Sequence, residues 1–470
     1  MKKSKVIIGT AATLTAIWLA GSWYTGRSAE QEYFRKIEEI NQTFAKSALA
    51  KNIKITYQNT LFDRGILSSH IEDQINLQIN DKNSVLPLSS TLYHGPLPLN
   101  QLRQFNLIPS LFSLHTTLGK SEATAPLFEL TKGKSPLDLI LTISYALNVQ
   151  SELQLNAGKI NQEALNLIWS DAKLNLDIKK NQNLNYKLSL DNLDLKKTNE
   201  TILKIKGFSA KGEMLPTQWP LIFTGKGQYD LAYMEQNNLD EFGHSMNIIQ
   251  KNIHTDYDTK MADNALNLSS KSNIGEVQIN ENNLGKLTYN MELNHIDGNA
   301  LQEILDTIIE LSKTMDEYKK TLLIEKLKSS GLAILENQPQ IKLNPLAISD
   351  GKGEMKLDLN IGLVKEPKFN LMKSGLYKQF TDFSIDININ KETAIALLEK
   401  LADNDEKTLA NETFNEIILN GEQNGYIVNN EKNITLTLSL ENNQLKLNNR
   451  IIPEEQVKMV LFMLVMNGLN

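Results

Sequence analysis

The sequence predicts a mainly β fold with some α (α+β): an N-terminal transmembrane helix, then a large, mostly antiparallel, curved β-sheet body with a few amphipathic helices. Three observations carry this expectation. Val6 to Tyr24 contains no charged residue and follows Lys2, Lys3 and Lys5. From Ile53 onward, apolar and polar residues alternate with period two in one segment after another, the pattern of half-buried strands. Patterns with a 3.6-residue period interrupt the strands at only a few places.

The first element follows from length and charge. As a helix rising 1.5 Å per residue, the uncharged run reaches about 28 Å, close to the thickness of the hydrocarbon core. Lysines before it, and Trp18 and Trp23 near its end, match a cytoplasmic start and an aromatic belt on the far side. Ala20-Gly21-Ser22 has the small residues that a signal peptidase accepts. The run is longer than a usual signal core, however, and Trp23-Tyr24 reads as an interface anchor, so a retained anchor is expected. Residues 29–50 then place Phe34, Ile37, Phe44, Ala48 and Leu49 among polar residues, an amphipathic connecting helix.

Alternation begins in the body with Ile71, Ile75, Leu77 and Ile79 and returns at Leu147–Leu155, Leu174–Ile178, Leu184–Leu190 and Leu203–Ile205. It appears again at Leu287–Leu293, Met355–Leu363, Phe383–Ile389 and Ile434–Leu440, then at Leu445 and Leu447. Breaks such as Lys180–Asn183 and Glu441–Gln444 separate the runs as hairpin loops would. Among the helices, Leu301, Ile304, Leu305, Ile308 and Leu311 lead toward Leu322 and Leu327 as one long helix or a pair. Asn390 is an N-cap candidate for a helix through Leu397 and Leu401, and Pro453 opens a last helix through Val457 and Leu461. That segment is too short to span and reads as a buried cap, with a bilayer surface or a second subunit as the lesser alternatives.

A weak repeat relates Pro220–Leu231 to Pro345–Leu357, each turning through Gly-Lys-Gly into an alternating strand. The expected organisation is residues 1–28 as cytoplasmic start and anchor, 29–50 as connecting helix, and 51–215 and 216–470 as two related β-rich halves, the second ending in the capping helix. Few helices are available to cover many apolar strand faces. Either the sheets pack on one another, or a curved sheet leaves an apolar groove able to hold an acyl chain.

Composition excludes several chemistries. The net charge is −6 with dispersed lysines and arginines, so no nucleic acid is expected as partner. The absence of cysteine removes disulfides, thiolate metal sites and thiol nucleophiles. Gly133-Lys134-Ser135 has Phe128 where a phosphate loop needs glycine, and Pro136 follows it. Gly225-Lys226-Gly227 and Gly351-Lys352-Gly353 read as turns. His70, His94, His115, His244, His254 and His295 show no zinc-ligand spacing. No Gly-x-Ser-x-Gly elbow occurs, and Ser68, Ser69 and His70 are consecutive on a strand, where neighbours face opposite sides. No catalytic residue, cofactor site or metal site is expected.

Two stretches carry a family resemblance. Leu61-Phe62-Asp63-Arg64-Gly65-Ile66-Leu67-Ser68-Ser69 resembles the arginine-glycine-aromatic-small-Ser-Ser pattern of the YdgA-like family of bacterial envelope proteins. His94-Gly95-Pro96-Leu97-Pro98 is similar to that family's His-Gly-Pro motif. The basic start, the Ala29-Glu30-Gln31 helix and the closing Leu445–Ile451 stretch also fit. Leu67 departs from the usual aromatic, and Asn449 stands where glycine is common. The resemblance implies a single-pass inner-membrane protein with a cytoplasmic N-terminus, a periplasmic β-rich body and no established activity.

Read physically, Gly65 suits a turn or bulge, Ser68 and Ser69 can hydrogen-bond local backbone, and Gly95 and Pro96 shape a corner. His94 is either packed into that corner or a proton carrier. Arg64, Gly65, Ser68, Ser69, His94, Gly95 and Pro96 are thus the candidate structural or interaction residues. The expected partners are the inner-membrane bilayer, envelope proteins or phospholipid, and a second copy of the chain through the C-terminal helix. The expected role is non-catalytic binding or structure in the envelope, with lipid binding or transfer in an apolar groove as the alternative.

Overall fold

The computed structural model describes residues 2–46, 53–79, 82–162, 165–198, 200–239, 245–262, 264–314, 316–335, 337–368, 375–402 and 407–458. The chain separates into two units, with the division falling inside one strand: residues 1–201 and 206–211 form the first, and 202–205 and 212–470 the second.

The first unit begins with α1 (Lys2–Lys46). The anchor and connecting helix expected as two segments are therefore one unbroken helix, because no proline or helix-ending glycine interrupts the sequence between them. Residues 47–50, the end of the expected connecting helix, lie outside the described residues. No helix among the described residues is long and apolar enough to cross a membrane, and the side chains of residues 6–17, most of the expected span, are not among those described.

The strands then follow as β1 (Ile53–Arg64), β2 (Ser68–Ile79) and β3 (Lys82–His94). After α2 (Leu99–Arg103), β4 (Ser110–Leu118) and α3 (Ala125–Leu130) come β5 (Leu137–Ser144), β6 (Val149–Leu155), β7 (Gly158–Gln162), β8 (Leu165–Trp169), β9 (Ala172–Ile178) and β10 (Leu184–Lys197). Strands β1 to β6 pair as an antiparallel meander. β6 next pairs with β9, because β7 and β8 form an inserted hairpin whose β8 joins β10 beyond the point where β10 pairs with β9. The core near α1 is Ala29, Ile71 and Leu92, with Tyr33, Phe62, Phe112 and Leu114 against them.

The division between units lies in β11 (Glu200–Pro216). In the second unit, β12 (Phe223–Leu239), β13 (Ser245–Ala262), β14 (Ala265–Ile279) and β15 (Asn282–Asp297) form a meander of long strands. Two helices follow, α4 (Gly298–Lys313) and α5 (Glu317–Leu335); Leu301 and Leu305 of α4 and Ile334 of α5 pack on Trp219, Ile222, Leu266 and Ile296. β16 (Gln340–Ser349), β17 (Glu354–Leu363) and β18 (Phe380–Asn390) continue the ladder. α6 (Lys391–Leu401) and α7 (Lys407–Gln423) precede β19 (Val428–Asn429), β20 (Asn433–Glu441), β21 (Gln444–Leu447) and β22 (Arg450–Ile452). β18 pairs with β20, which also pairs with β19 and β21, and β21 pairs with β22.

Local chemistry accounts for several boundaries. The Asn390 side chain accepts from Thr393 N at 3.0 Å and so caps α6. Asn442 and Asn443 adopt φ of 52° and 59°, the left-handed pair that a two-residue hairpin between β20 and β21 requires. Asn449 has φ 68°, which explains why glycine suits that position and why asparagine can replace it.

The repeat's two Gly-Lys-Gly segments differ. Gly351–Gly353 is the turn from β16 to β17, but Gly225 and Gly227 lie inside β12 rather than in a turn. Gly225, at φ 132°, is forced by close approach: a Cβ there would stand 2.1 Å from Glu213 O. The last helix is described only through Lys458, so Leu461 and the expected dimer face lie outside the described residues.

Candidate functional site

The two motif stretches meet because β2 pairs with both β1 and β3. Gly65 starts the tight reversal from β1 into β2, its N–H donating to Ser68 O at 2.9 Å. A Cβ on Gly65 would stand 2.7 Å from that same oxygen, so the reversal excludes a side chain. Ser69 pairs with Leu92, and His94, two residues further along β3, is its diagonal neighbour on the same face.

The contact between them is direct. His94 Nδ1 lies 2.9 Å from Ile66 O, and its Nε2 lies 2.8 Å from Ser69 Oγ. A carbonyl can only accept, so Nδ1 carries the proton and Ser69 Oγ–H donates to Nε2. The expectation that Ser69 bonds local backbone is corrected here: its partner is an imidazole 25 residues away. The exposed His70, adjacent in sequence, pairs instead with Glu72 at 2.7 Å. Ser68 contributes its carbonyl to the Gly65 turn.

A serine donating to a neutral histidine is the arrangement of a nucleophilic dyad, yet this pair is sealed. Ser69 is 0% and His94 1% exposed, and burial holds the imidazole pKa below its ordinary range. His94 Nδ1 is held by a carbonyl rather than by the carboxylate that would stabilise an imidazolium.

What seals the pair is α1. A Cβ on Gly26 would come within 2.4 Å of His94 Cε1, so only glycine lets the helix lie on the ring. Gly21 packs on Pro96, where a Cβ would stand 3.0 Å from Cδ. Thr25 Oγ1 lies 2.9 Å from Gly95 O, with Gly21 O at 3.0 Å as the competing acceptor within the helix. Trp18 Nε1–H donates to Leu97 O at 3.1 Å. Gly95 itself donates to Leu111 O at 2.8 Å, and a Cβ there would stand 2.0 Å from Ser110 O. The His-Gly-Pro corner is thus a socket shaped for small residues on a helix.

The contact line continues along α1. The Arg64 guanidinium pairs with Glu30. Tyr33 stacks near Phe62, ring centroids 5.5 Å apart, and its hydroxyl donates to the buried Asp73 carboxylate. Tyr57 and Asn59 donate to the same carboxylate, each at 2.9 Å. Burial, with Asp73 adding to it, pushes the Tyr33 and Tyr57 hydroxyls well above the ordinary tyrosine range. Asn41 finally bonds both polar groups of the Tyr57 backbone, at 2.7 and 2.8 Å. From Trp18 to Asn41 the seam runs about 35 Å.

Arg64, His94, Gly95 and Pro96 therefore meet α1 directly, with Ser69 bonded to His94 and Gly65 in the turn that leads into β2. The α1 partners Thr25, Gly26, Glu30 and Tyr33, and Asp73 beneath them, are absent from the sequence-based candidates. Their signal in the sequence is the small-residue face Gly21, Ser22, Thr25, Gly26 and Ala29. Phe34, on the apolar stripe expected for the connecting helix, is 45% exposed. Among the described residues, no group of three or more His, Asp or Glu is disposed to hold a metal ion.

Comparison with known proteins gives relatives but no solved structure that matches. An uncharacterized protein of Haemophilus influenzae is 39% identical over 325 residues, covering 67% of this chain and 89% of its own length. Protein YdgA of Escherichia coli is 25% identical over 494 residues, spanning 95% of this chain and 94% of its own. Uncharacterized protein YihF of the same organism is 31% identical over 148 residues, 30% of each chain. Residues 1–455 match the family described as bacterial protein of unknown function, DUF945. That match covers almost the whole chain and includes both motif stretches, so the chain belongs to the DUF945 family.

Proposed function

We propose that the chain is an inner-membrane protein anchored by the N-terminal part of α1, with a periplasmic β-rich body whose role in the envelope is binding or structural rather than catalytic. The observation that carries this reading is the seam itself. The uncharged run ends on residues that are already part of the body's packing, from Trp18 on Leu97 to Gly26 on His94. Such an anchor holds its body rigidly at the bilayer surface, where a flexible tether would leave it free. The sealed Ser69–His94 pair supports a structural role for the motif, since a nucleophile requires access to substrate.

The test is fractionation and topology together. The full chain is expected to stay with inner membranes after alkaline carbonate washing, and its body to be digested by protease added to spheroplasts. Release by carbonate, or digestion only after the membrane is opened, would contradict the reading.

Lipid binding is the second reading, favoured by apolar side chains left exposed on strands, among them Leu155, Ile168, Met291 and Ile341. Native mass spectrometry of detergent-purified protein should then show bound phospholipid. Clean protein, with no lipid transfer between vesicles, would remove it.

A further inference from the structure

We propose that the loop Phe105–Ile108 is a second membrane contact, an apolar finger that enters the interfacial layer of the same bilayer beside α1; this rests on the anchored reading above. Phe105, Leu107 and Ile108 are 92%, 69% and 67% exposed, three large apolar side chains within four residues that lie mostly in solvent. Their backbone is not loose. Phe105 N and Asn106 N donate to Leu102 O and Gln101 O, both at 3.0 Å, and Ile108 N donates to Asn106 Oδ1 at 3.1 Å. Ser110 N returns to Pro96 O at 2.9 Å. Phe105 is also held at φ 57°, a conformation that a bulky L residue rarely adopts. The fold thus holds an aromatic side chain out in solvent, which calls for an apolar occupant.

The position names the occupant. The loop leaves and re-enters the body at the corner whose Leu97 carbonyl is held by Trp18. Trp18 lies six residues, about 9 Å along the helix, before the end of the uncharged run at Tyr24. If that run spans the membrane, the corner stands about 9 Å inside the edge of the hydrocarbon core, within the depth that interfacial apolar segments reach, and a finger projecting from it meets lipid. On α1, Leu19, Trp23 and Tyr24 are exposed at the same level.

Charge agrees with this placement. From Lys82 to Ser121 there is no Asp or Glu, although the chain carries a net charge of −6, and Arg103 and Lys120 lie within the stretch. Arg103 is exposed two residues before Phe105. An acid-free, weakly basic surface suits anionic phospholipid headgroups.

Because the chain has no cysteine, single labels are unambiguous. Leu107→Cys, Trp23→Cys and Asn181→Cys variants of the full chain would each carry an environment-sensitive fluorophore. They would be reconstituted in vesicles of phosphatidylethanolamine and phosphatidylglycerol containing nitroxide-labelled lipid. Asn181, in the exposed hairpin between β9 and β10, reports the aqueous side. Quenching at Leu107 and Trp23 several-fold above that at Asn181 is the expected result. Quenching at Trp23 alone would overturn the finger and leave the anchor standing. Quenching at neither would overturn both. A Phe105→Ser/Ile108→Ser background should lower quenching at Leu107 toward the Asn181 value; unchanged quenching there would also count against the finger.

Discussion

At the scale of single residues, the socket turns on a few atoms without slack. Gly26→Ala would drive a methyl into the His94 ring and is expected to destabilise the first unit by about 1–3 kcal/mol, as overpacking does. Ser69→Ala leaves His94 Nε2 buried without a donor and should cost about 1–3 kcal/mol. Ser22 gives the opposite expectation: its buried hydroxyl has no hydrogen-bond partner, so Ser22→Ala should be neutral or slightly stabilising. Denaturant midpoints of the detergent-solubilised chain check all three.

His94 also sets a pH dependence. Burial lowers its folded pKa, so as pH falls below about 6.5 the unfolded chain takes up a proton that the folded chain resists. Its stabilising contribution is present above that pH and lost as pH falls from there toward the folded value. His254 acts oppositely: its bond to Asp230 raises its pKa, so its contribution is present below the ordinary histidine range and lost as pH rises. The difference in midpoint between wild type and His94→Asn, followed from about pH 7.5 to 5.5, isolates the first effect. It should shrink on acidification, and a difference independent of pH would contradict the assignment.

At the scale of elements, α1 is held by polar anchors as well as packing. Asp73 receives Tyr33, Tyr57 and Asn59, so Asp73→Ala strands three donors and should both destabilise the unit and loosen α1. Faster proteolysis near Arg35 would show the loosening.

Elements were legible where one sheet face is dry and the other wet, as in β2, β9, β17 and β20. β3, β4 and β13 escaped because Ser, Thr and Asn occupy both faces, and Pro87 within β3 argued against a strand. α7 escaped for a related reason: it buries no residue, and Leu409, Ile417 and Leu419 lie exposed, so it has no single apolar stripe. The motif residues stood out in sequence, but their partner did not. That Ser69 meets His94, and that His94 meets Gly26, depends on the β2–β3 register and on how α1 crosses it, neither of which is written in any local pattern.

At the scale of the whole molecule, DUF945 membership and the β-rich body are shown, and the proposed role follows from one continuous helix. The family motifs shape a seat on the body for the end of the proposed anchor. On this account their loss should not abolish any turnover; it should let the body swing away from the bilayer.

Hydrogen exchange along α1 tests this most directly. In the full chain, amides of residues 26–41 should be protected as strongly as those of β2 and β3. In Gly26→Leu they should exchange far faster, while β5 and β6 keep their protection. A helix that exchanges freely in the wild type, or one unaffected by the leucine, would contradict the seating of α1 on the motif corner.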